Sequence, residues 1–212
     1  MIKNKTCAKC GYLNKIDTAI KEQYLDFLGR PKKEDARNFF DLWHVSFETC
    51  ENCGFIAKDI SESKLSPQEI SEELKNAEKL LDDLYVSQDI KDCIIAGMVY
   101  EREGSVSEAG KCYLQAWDLI FGAIMHQYVQ GEDYDFKNEK EFADELRLRG
   151  ILLLKTGIDE DFDMDNLLLL TAILLEGNEN EHEVAHSIVE QIDETEMTEK
   201  QKAMFDYILG AH

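Results

Sequence analysis

The sequence has few residues that interrupt helices, and it has no apolar run long enough to cross a membrane. Only two of the 212 residues are prolines, so a mostly helical chain is expected. The longest stretch free of charged or strongly polar residues, Leu167 to Leu175, is about half the length of a membrane span. No apolar stretch follows the first residues, so a secretory signal is not expected. The sequence therefore predicts a soluble, cytoplasmic protein.

Basic side chains are also scarce. The chain has 23 Lys and Arg against 44 Asp and Glu, a formal charge of −21. Such a charge repels phosphate backbones and anionic lipid surfaces, which argues against nucleic acid and membrane as partners. The imbalance is confined to residues 61–212, because residues 1–60 hold 10 basic and 9 acidic side chains. We predict two domains, residues 1–62 and residues 63–212.

Four of the six cysteines occur in two copies of one motif, Cys7-Ala-Lys-Cys10-Gly-Tyr and Cys50-Glu-Asn-Cys53-Gly-Phe. Cytosolic thiols stay reduced, so paired cysteines indicate metal or redox chemistry before structural disulfides. Two intervening residues let both thiolates of a turn reach one ion, and two such turns complete a tetrahedral site. The sequence therefore predicts that Cys7, Cys10, Cys50 and Cys53 bind Zn²⁺. Iron uses nearly the same ligands and remains an alternative.

The residues around the two motifs predict a small zinc-ribbon-like module. A glycine follows each second cysteine, where the backbone is expected to take a positive φ. Before the second motif, Trp43, Val45 and Phe47 alternate with polar residues, which predicts a short strand that leads to Cys50. Because four thiolates leave no open coordination position, we expect the metal to be structural and not catalytic.

Beyond the cysteine motifs, the sequence predicts helices. Ser66 is expected to be an N-cap, with Pro67 at the first helical position and Glu69 completing a capping box. Apolar residues then recur at helical spacing. This predicted stripe consists of Ile70, Leu74, Ala77, Leu80, Leu81 and Leu84. Cys93 and Cys112 are expected to be core residues of the helices that follow.

Residues 90–118 carry small and aromatic residues at the spacings of a tetratricopeptide unit, in which small residues let two antiparallel helices approach. These residues are Gly97, Tyr100, Gly104, Ala109, Tyr113 and Ala116. An ordinary helical hairpin fits the same residues. The sequence thus predicts a mainly α-helical fold, with an α-helical, tetratricopeptide-like domain over residues 63–212.

The segment His182-Glu183-Val184-Ala185-His186 matches the H-E-x-x-H signature, in which two histidines bind zinc and the glutamate activates water. An acidic stretch precedes it, and neither the extended three-histidine form nor a clear third ligand follows. The segment can equally begin the second helix of a hairpin, with Ala185 as its packing residue. We interpret the match as chance and expect no enzymatic activity, with a zinc metallopeptidase as the alternative.

The paired cysteine motifs, the aromatic strand and the segment from Ala96 to Trp117 together resemble an uncharacterised bacterial family. Its members look like an N-terminal zinc-binding region followed by tetratricopeptide-like helices, and they have no assigned activity. The resemblance covers roughly residues 5–120. It implies that the four motif cysteines are the metal ligands. Ala8 and Glu51 stand where members of the family often have proline.

These observations predict a non-enzymatic, zinc-binding adaptor for protein–protein interaction. Its acidic helical surface is expected to bind a basic or amphipathic protein or peptide. Besides the peptidase, one other class fits the cysteines: a redox- or zinc-responsive regulator whose thiolates release the metal when they are oxidised.

Overall fold

The computed structural model describes residues 2–17, 47–82, 84, 86–130 and 137–211. In these ranges short strands come first and helices follow. The strands are β1 (Ile2–Thr6), β2 (Leu13–Asp17), β3 (Glu48–Thr49) and β4 (Ile56–Ala57). The α-helices are α1 (Pro67–Leu81), α2 (Gln88–Arg102), α3 (Val106–Gln130), α4 (Lys137–Glu160), α5 (Met164–Leu175), α6 (Glu179–Val189) and α7 (Glu199–Ala211). A mainly helical fold with a few short N-terminal strands is therefore confirmed.

The strands form two antiparallel pairs, and each pair encloses one cysteine motif. Strand β1 pairs with β2, with Thr6 opposite Leu13. Strand β3 pairs with β4, with Thr49 opposite Ile56. The two sequence copies are therefore also two structural copies, each a turn between short strands. The strand predicted before the second motif involves Trp43, Val45 and Phe47. Residues 18–46 lie outside the described part of the chain, and β3 begins at Glu48.

Helix α1 begins as the sequence predicts. The Ser66 hydroxyl accepts a hydrogen bond from the Glu69 amide, and the Glu69 carboxylate accepts one from the Ser66 amide at 2.8 Å. The apolar stripe is correct at Ile70 and Leu81, which are buried, but Leu80 is 46% exposed. At 3.6 residues per turn, Leu80 lies about 80° around the helix from Ile70, whereas Leu81 lies within about 20° of it.

Helices α2 and α3 form a close hairpin. The chain turns at Gly104, whose φ is +75°, a conformation that glycine adopts without strain. A Cβ atom at Gly97 would lie 2.7 Å from the ring of Tyr113, so the absence of a side chain lets the ring lie on α2. Ala109 and Ala116 are fully buried. The helical hairpin is confirmed, and its assignment to the tetratricopeptide repeats stays a prediction.

The main core lies among α1 to α7. Cys93 and Cys112 are buried as predicted, at 1% and 0% exposure. Helices α3 and α4 approach closely where two glycines meet. A Cβ atom at Gly110 would lie 2.9 Å from both the Gly150 carbonyl oxygen and the Leu154 amide nitrogen. Among the helices described, none is both long enough and apolar enough to span a membrane.

This glycine contact predicts the effect of adding one methyl group. We expect Gly110→Ala to lower the free energy of unfolding by about 1–3 kcal/mol, because the new methyl meets backbone atoms of α4 that cannot rotate away. Gly210→Ala is the matched control, since its Cβ atom would meet nothing within 4 Å. Urea unfolding of the two variants beside the wild type measures the difference. Equal stability of the two variants would contradict the close packing of α3 on α4.

Candidate metal centre

The four motif cysteines converge at one point. Their sulfur atoms all lie within 4.8 Å of one another. The Sγ atoms of Cys7 and Cys53 are 3.7 Å apart, and those of Cys10 and Cys50 are also 3.7 Å apart. A tetrahedral ion with Zn–S bonds of about 2.3 Å separates its sulfur ligands by about 3.8 Å. The structure thus brings together the residues that the sequence selected, at a spacing that could hold a metal ion.

The backbone follows the same path in both motifs. The amide of Cys7 donates to the Tyr12 carbonyl at 2.9 Å, and the amide of Cys50 donates to the Phe55 carbonyl at 2.8 Å. The glycine after each second cysteine has a positive φ, of 72° at Gly11 and 68° at Gly54. Each glycine amide donates to the carbonyl of its motif's first cysteine at 2.9 Å. The expected role of these glycines in the turns is therefore confirmed.

These turns aim backbone amides at the sulfur atoms. Cys7 is hydrogen-bonded by the amides of Cys10 and Lys9. Cys50 is hydrogen-bonded in the same way by Cys53 and Asn52. Amide donors stabilise a thiolate relative to a thiol, and they fix the orientation of a metal ligand. Burial opposes these donors: it raises the pKa of Cys7, whereas the donors prevail at Cys50, whose pKa is lowered.

Two asparagine side chains extend this arrangement from one motif to the other. Asn14 is fully buried, and its amide nitrogen donates to Cys50 Sγ at 3.5 Å. Its side-chain oxygen accepts a hydrogen bond from the Glu51 amide at 3.0 Å. In the opposite direction, the amide nitrogen of Asn52 donates to Cys10 Sγ at 3.5 Å. No sequence pattern marks Asn14 or Asn52, because a single asparagine has no spacing that identifies it as a partner of a sulfur atom.

The four thiols lie in different environments. Hydrogen bonds from Asn52 and from the Tyr12 backbone lower the pKa of the exposed Cys10 to about 6. Burial raises the pKa of Cys53 to about 12. At neutral pH the four thiols therefore do not all ionise by themselves. A divalent cation compensates the negative charge of the thiolates and displaces the remaining protons when it binds.

A partly buried ion-pair network holds the two motifs side by side. Lys5 Nζ on β1 donates to both carboxylate oxygens of Glu48 on β3, at 2.8 and 2.9 Å, and to Asp59 at 2.7 Å. Glu48 is buried, and its carboxylate also accepts a hydrogen bond from the Ile60 amide at 3.3 Å. The Ala8 amide donates to the Ile60 carbonyl at 2.8 Å. One lysine thus connects the first motif with both sides of the second.

The residues of the H-E-x-x-H segment lie on α6. Glu183 and His186 are exposed, while Ala185 is fully buried and packs as predicted. Within the described ranges, the four cysteines are the only group of three or more His, Cys, Asp or Glu side chains whose ligand atoms converge. No third ligand from the described residues therefore joins His182 and His186. The peptidase alternative and the absence of enzymatic activity both stay predictions.

No family model, curated protein or solved structure matches this chain. The resemblance to a bacterial family therefore stays a prediction that depends on the motifs quoted above. The convergence of the cysteines and the helical body are observed in the structure itself.

The position of Asn14 predicts a measurable effect on metal affinity. Asn14→Asp keeps an oxygen that can accept from the Glu51 amide, but it replaces the donor at Cys50 with a carboxylate. We expect zinc affinity to fall by about 10- to 100-fold, because partners that orient metal ligands have effects of this size. Competition with a chromophoric chelator measures the change.

The matched substitution is Asn52→Asp, at an exposed residue. Solvent screens the new charge there, so we expect a smaller loss of affinity. Unchanged affinity in Asn14→Asp would show that this hydrogen bond does not orient a metal ligand.

Proposed function

We propose that the chain is a non-enzymatic adaptor that consists of a structural zinc module and an acidic helical body that binds a protein partner. The observation that supports the metal site is the 3.7 Å separation within both cross-motif sulfur pairs. Four thiolates fill a tetrahedral zinc shell and leave no position for water or substrate. The ion therefore stabilises the fold and does not activate a reactant.

The small size of the strands also supports a structural ion. Strands β3 and β4 have two residues each, and two-stranded pairs of this kind are marginal in water. The buried residues of this region include two of the cysteines themselves, Cys7 and Cys50. Small domains with little apolar surface commonly depend on a structural metal, and the binding free energy of the ion then becomes folding free energy.

The surface of the helical body supports the proposed class of partner. The end of the chain from α6 onward carries many exposed carboxylates. These are Glu179, Glu183, Glu190, Asp193, Glu194 and Glu196. Leu148 and Leu152, one turn apart on α4, are 63% and 64% exposed. A basic amphipathic segment complements both kinds of surface, because its cations attract carboxylates while its apolar face covers leucine side chains.

The metal site is tested first by elemental analysis of protein purified without chelator or nickel. We expect about one zinc ion per chain, with loss of the ion in Cys53→Ser because a fourth thiolate is missing. His186→Ala is the control and is expected to keep the full metal content. Iron in place of zinc would redirect the proposal to electron transfer. A second metal ion that disappears with His186→Ala would favour the peptidase instead.

The adaptor role is tested by capture of proteins from native cytosol on the immobilised, metal-loaded chain. We expect a partner that is released at about 1 M salt, where the Debye length falls to about 3 Å. Substitution of Glu190, Glu194 and Glu196 together by glutamine should weaken capture. Glu62→Gln, Glu78→Gln and Asp82→Asn together remove three exposed carboxylates elsewhere in the chain and are the matched control. Recovery of no salt-sensitive partner would contradict the adaptor role.

A further inference from the structure

The cysteine module packs directly on the α2–α3 hairpin. One apolar cluster joins module residues to helices α1 and α2. It contains Cys7, Cys50, Phe55, Ala57, Ile60, Ile70 and Val99. In a second cluster, Ile56 of β4 packs with Ala96 of α2 and Cys112 of α3. The metal-binding turns and the hairpin therefore share buried apolar surface.

Polar contacts hold the same interface. The Lys58 amide donates to the Tyr100 hydroxyl of α2 at 2.8 Å, and the Lys58 ammonium pairs with Glu108 of α3. The Lys64 amide donates to the Glu103 carboxylate, at the end of α2, at 3.0 Å. The segment between β4 and α1 therefore contacts the hairpin at both Lys58 and Lys64.

The metal site connects segments that are far apart in the sequence. Cys10 and Cys50 are 40 positions apart. Besides the sulfurs, the Lys5 network, the asparagine contacts, the Ala8–Ile60 hydrogen bond and a shared apolar cluster join the two motifs in the described part of the chain. Without the ion, the four thiols are no longer bound to a common metal. The two-residue strands are marginal by themselves. The residues that cover the hairpin then keep their own contacts with α2 and α3 but lose the support of the first motif.

We propose that metal binding at the four cysteines controls whether the α2–α3 hairpin face beneath β4 is covered or exposed to solvent. This inference rests on the metal site of the proposed function. In the structure Ile56 covers Ala96 and Cys112, and this is the arrangement that we assign to the metal-bound chain. When the metal leaves, the module separates from the hairpin, and this apolar face opens while the main core of α1 to α7 stays folded.

Two buried cysteines of the hairpin interact electrostatically but belong to different apolar clusters. Cys112 belongs to the cluster beneath Ile56, whereas Cys93 belongs to the main helical core. Burial raises the pKa of both thiols, and a covered, protonated thiol reacts slowly with alkylating reagents. An increase in reactivity at Cys112 alone therefore reports local opening of the module.

The experiment is timed alkylation with N-ethylmaleimide, with and without a zinc chelator, after zinc content has been measured on the same sample. Lys91 and Lys111 lie just before the two cysteines, so tryptic peptides separate them for mass spectrometry. We expect chelation to accelerate labelling of Cys112 at least about tenfold, because local opening exposes it, and to leave Cys93 unchanged. Added zinc should restore the protection of Cys112.

A variant of the metal-loaded protein tests the interface without removal of the ion. Tyr100→Phe deletes the hydroxyl that accepts a hydrogen bond from the Lys58 amide. We therefore expect faster labelling of Cys112 while one zinc ion stays bound. Tyr12→Phe, which changes an exposed ring of the module, is the matched control and should leave labelling unchanged.

Each contrary outcome identifies what fails. If zinc is bound and its removal leaves Cys112 protected, the metal site stands and the control of the hairpin face is overturned. Equal acceleration at Cys93 and Cys112 also overturns it, because the whole helical body then opens. A chain that binds no zinc contradicts the proposed function, and this inference falls with it.

Discussion

The convergence of four thiols is the constraint on which the N-terminal part of the structure depends. Sulfur atoms within 4.8 Å of one another cannot all carry negative charge unless a cation compensates them. The backbone amides and the side chains of Asn14 and Asn52 favour thiolates, so they increase the need for that cation. The strands of the second motif have only two residues each, so under the proposed function the ion contributes the order that a larger core supplies in other domains.

The helical body is stabilised differently, by close packing and by ion pairs at its surface. Its excess of carboxylates is partly balanced where arginines bridge helices. Arg147 pairs with Glu181 and lies 5.5 Å from the centre of the Trp117 ring, so its cation contacts a carboxylate and an aromatic face together. The small residues of α3 and α4 bring those helices together. The body therefore has a core of its own, and this core is why loss of the metal is expected to act locally.

Local patterns in the sequence predicted the two cysteine turns and the first helix, because both depend on residues close together in the chain. A Cys-x-x-Cys turn and a capping box such as Ser66 to Glu69 are complete within a few positions. The sulfur partner Asn14, the Lys5 network and the contact of Ile56 with α2 join distant segments. No periodicity marks such residues. The helical periodicity also gave one wrong prediction, because Leu80 lies at the margin of the apolar stripe and is exposed to solvent.

Under the proposed control, the interface between module and hairpin links metal affinity to the surface of the helical body. Contacts such as that of Lys58 with Tyr100 then belong to the metal-bound state, so they would raise the affinity of the site. Thermodynamic linkage is reciprocal. If a partner binds the uncovered hairpin face, the metal weakens the binding of that partner. The partner must then weaken metal binding by the same factor. A partner that binds the exposed carboxylates from α6 onward does not compete with the metal in this way. The effect of zinc on the affinity for the partner therefore distinguishes the two surfaces.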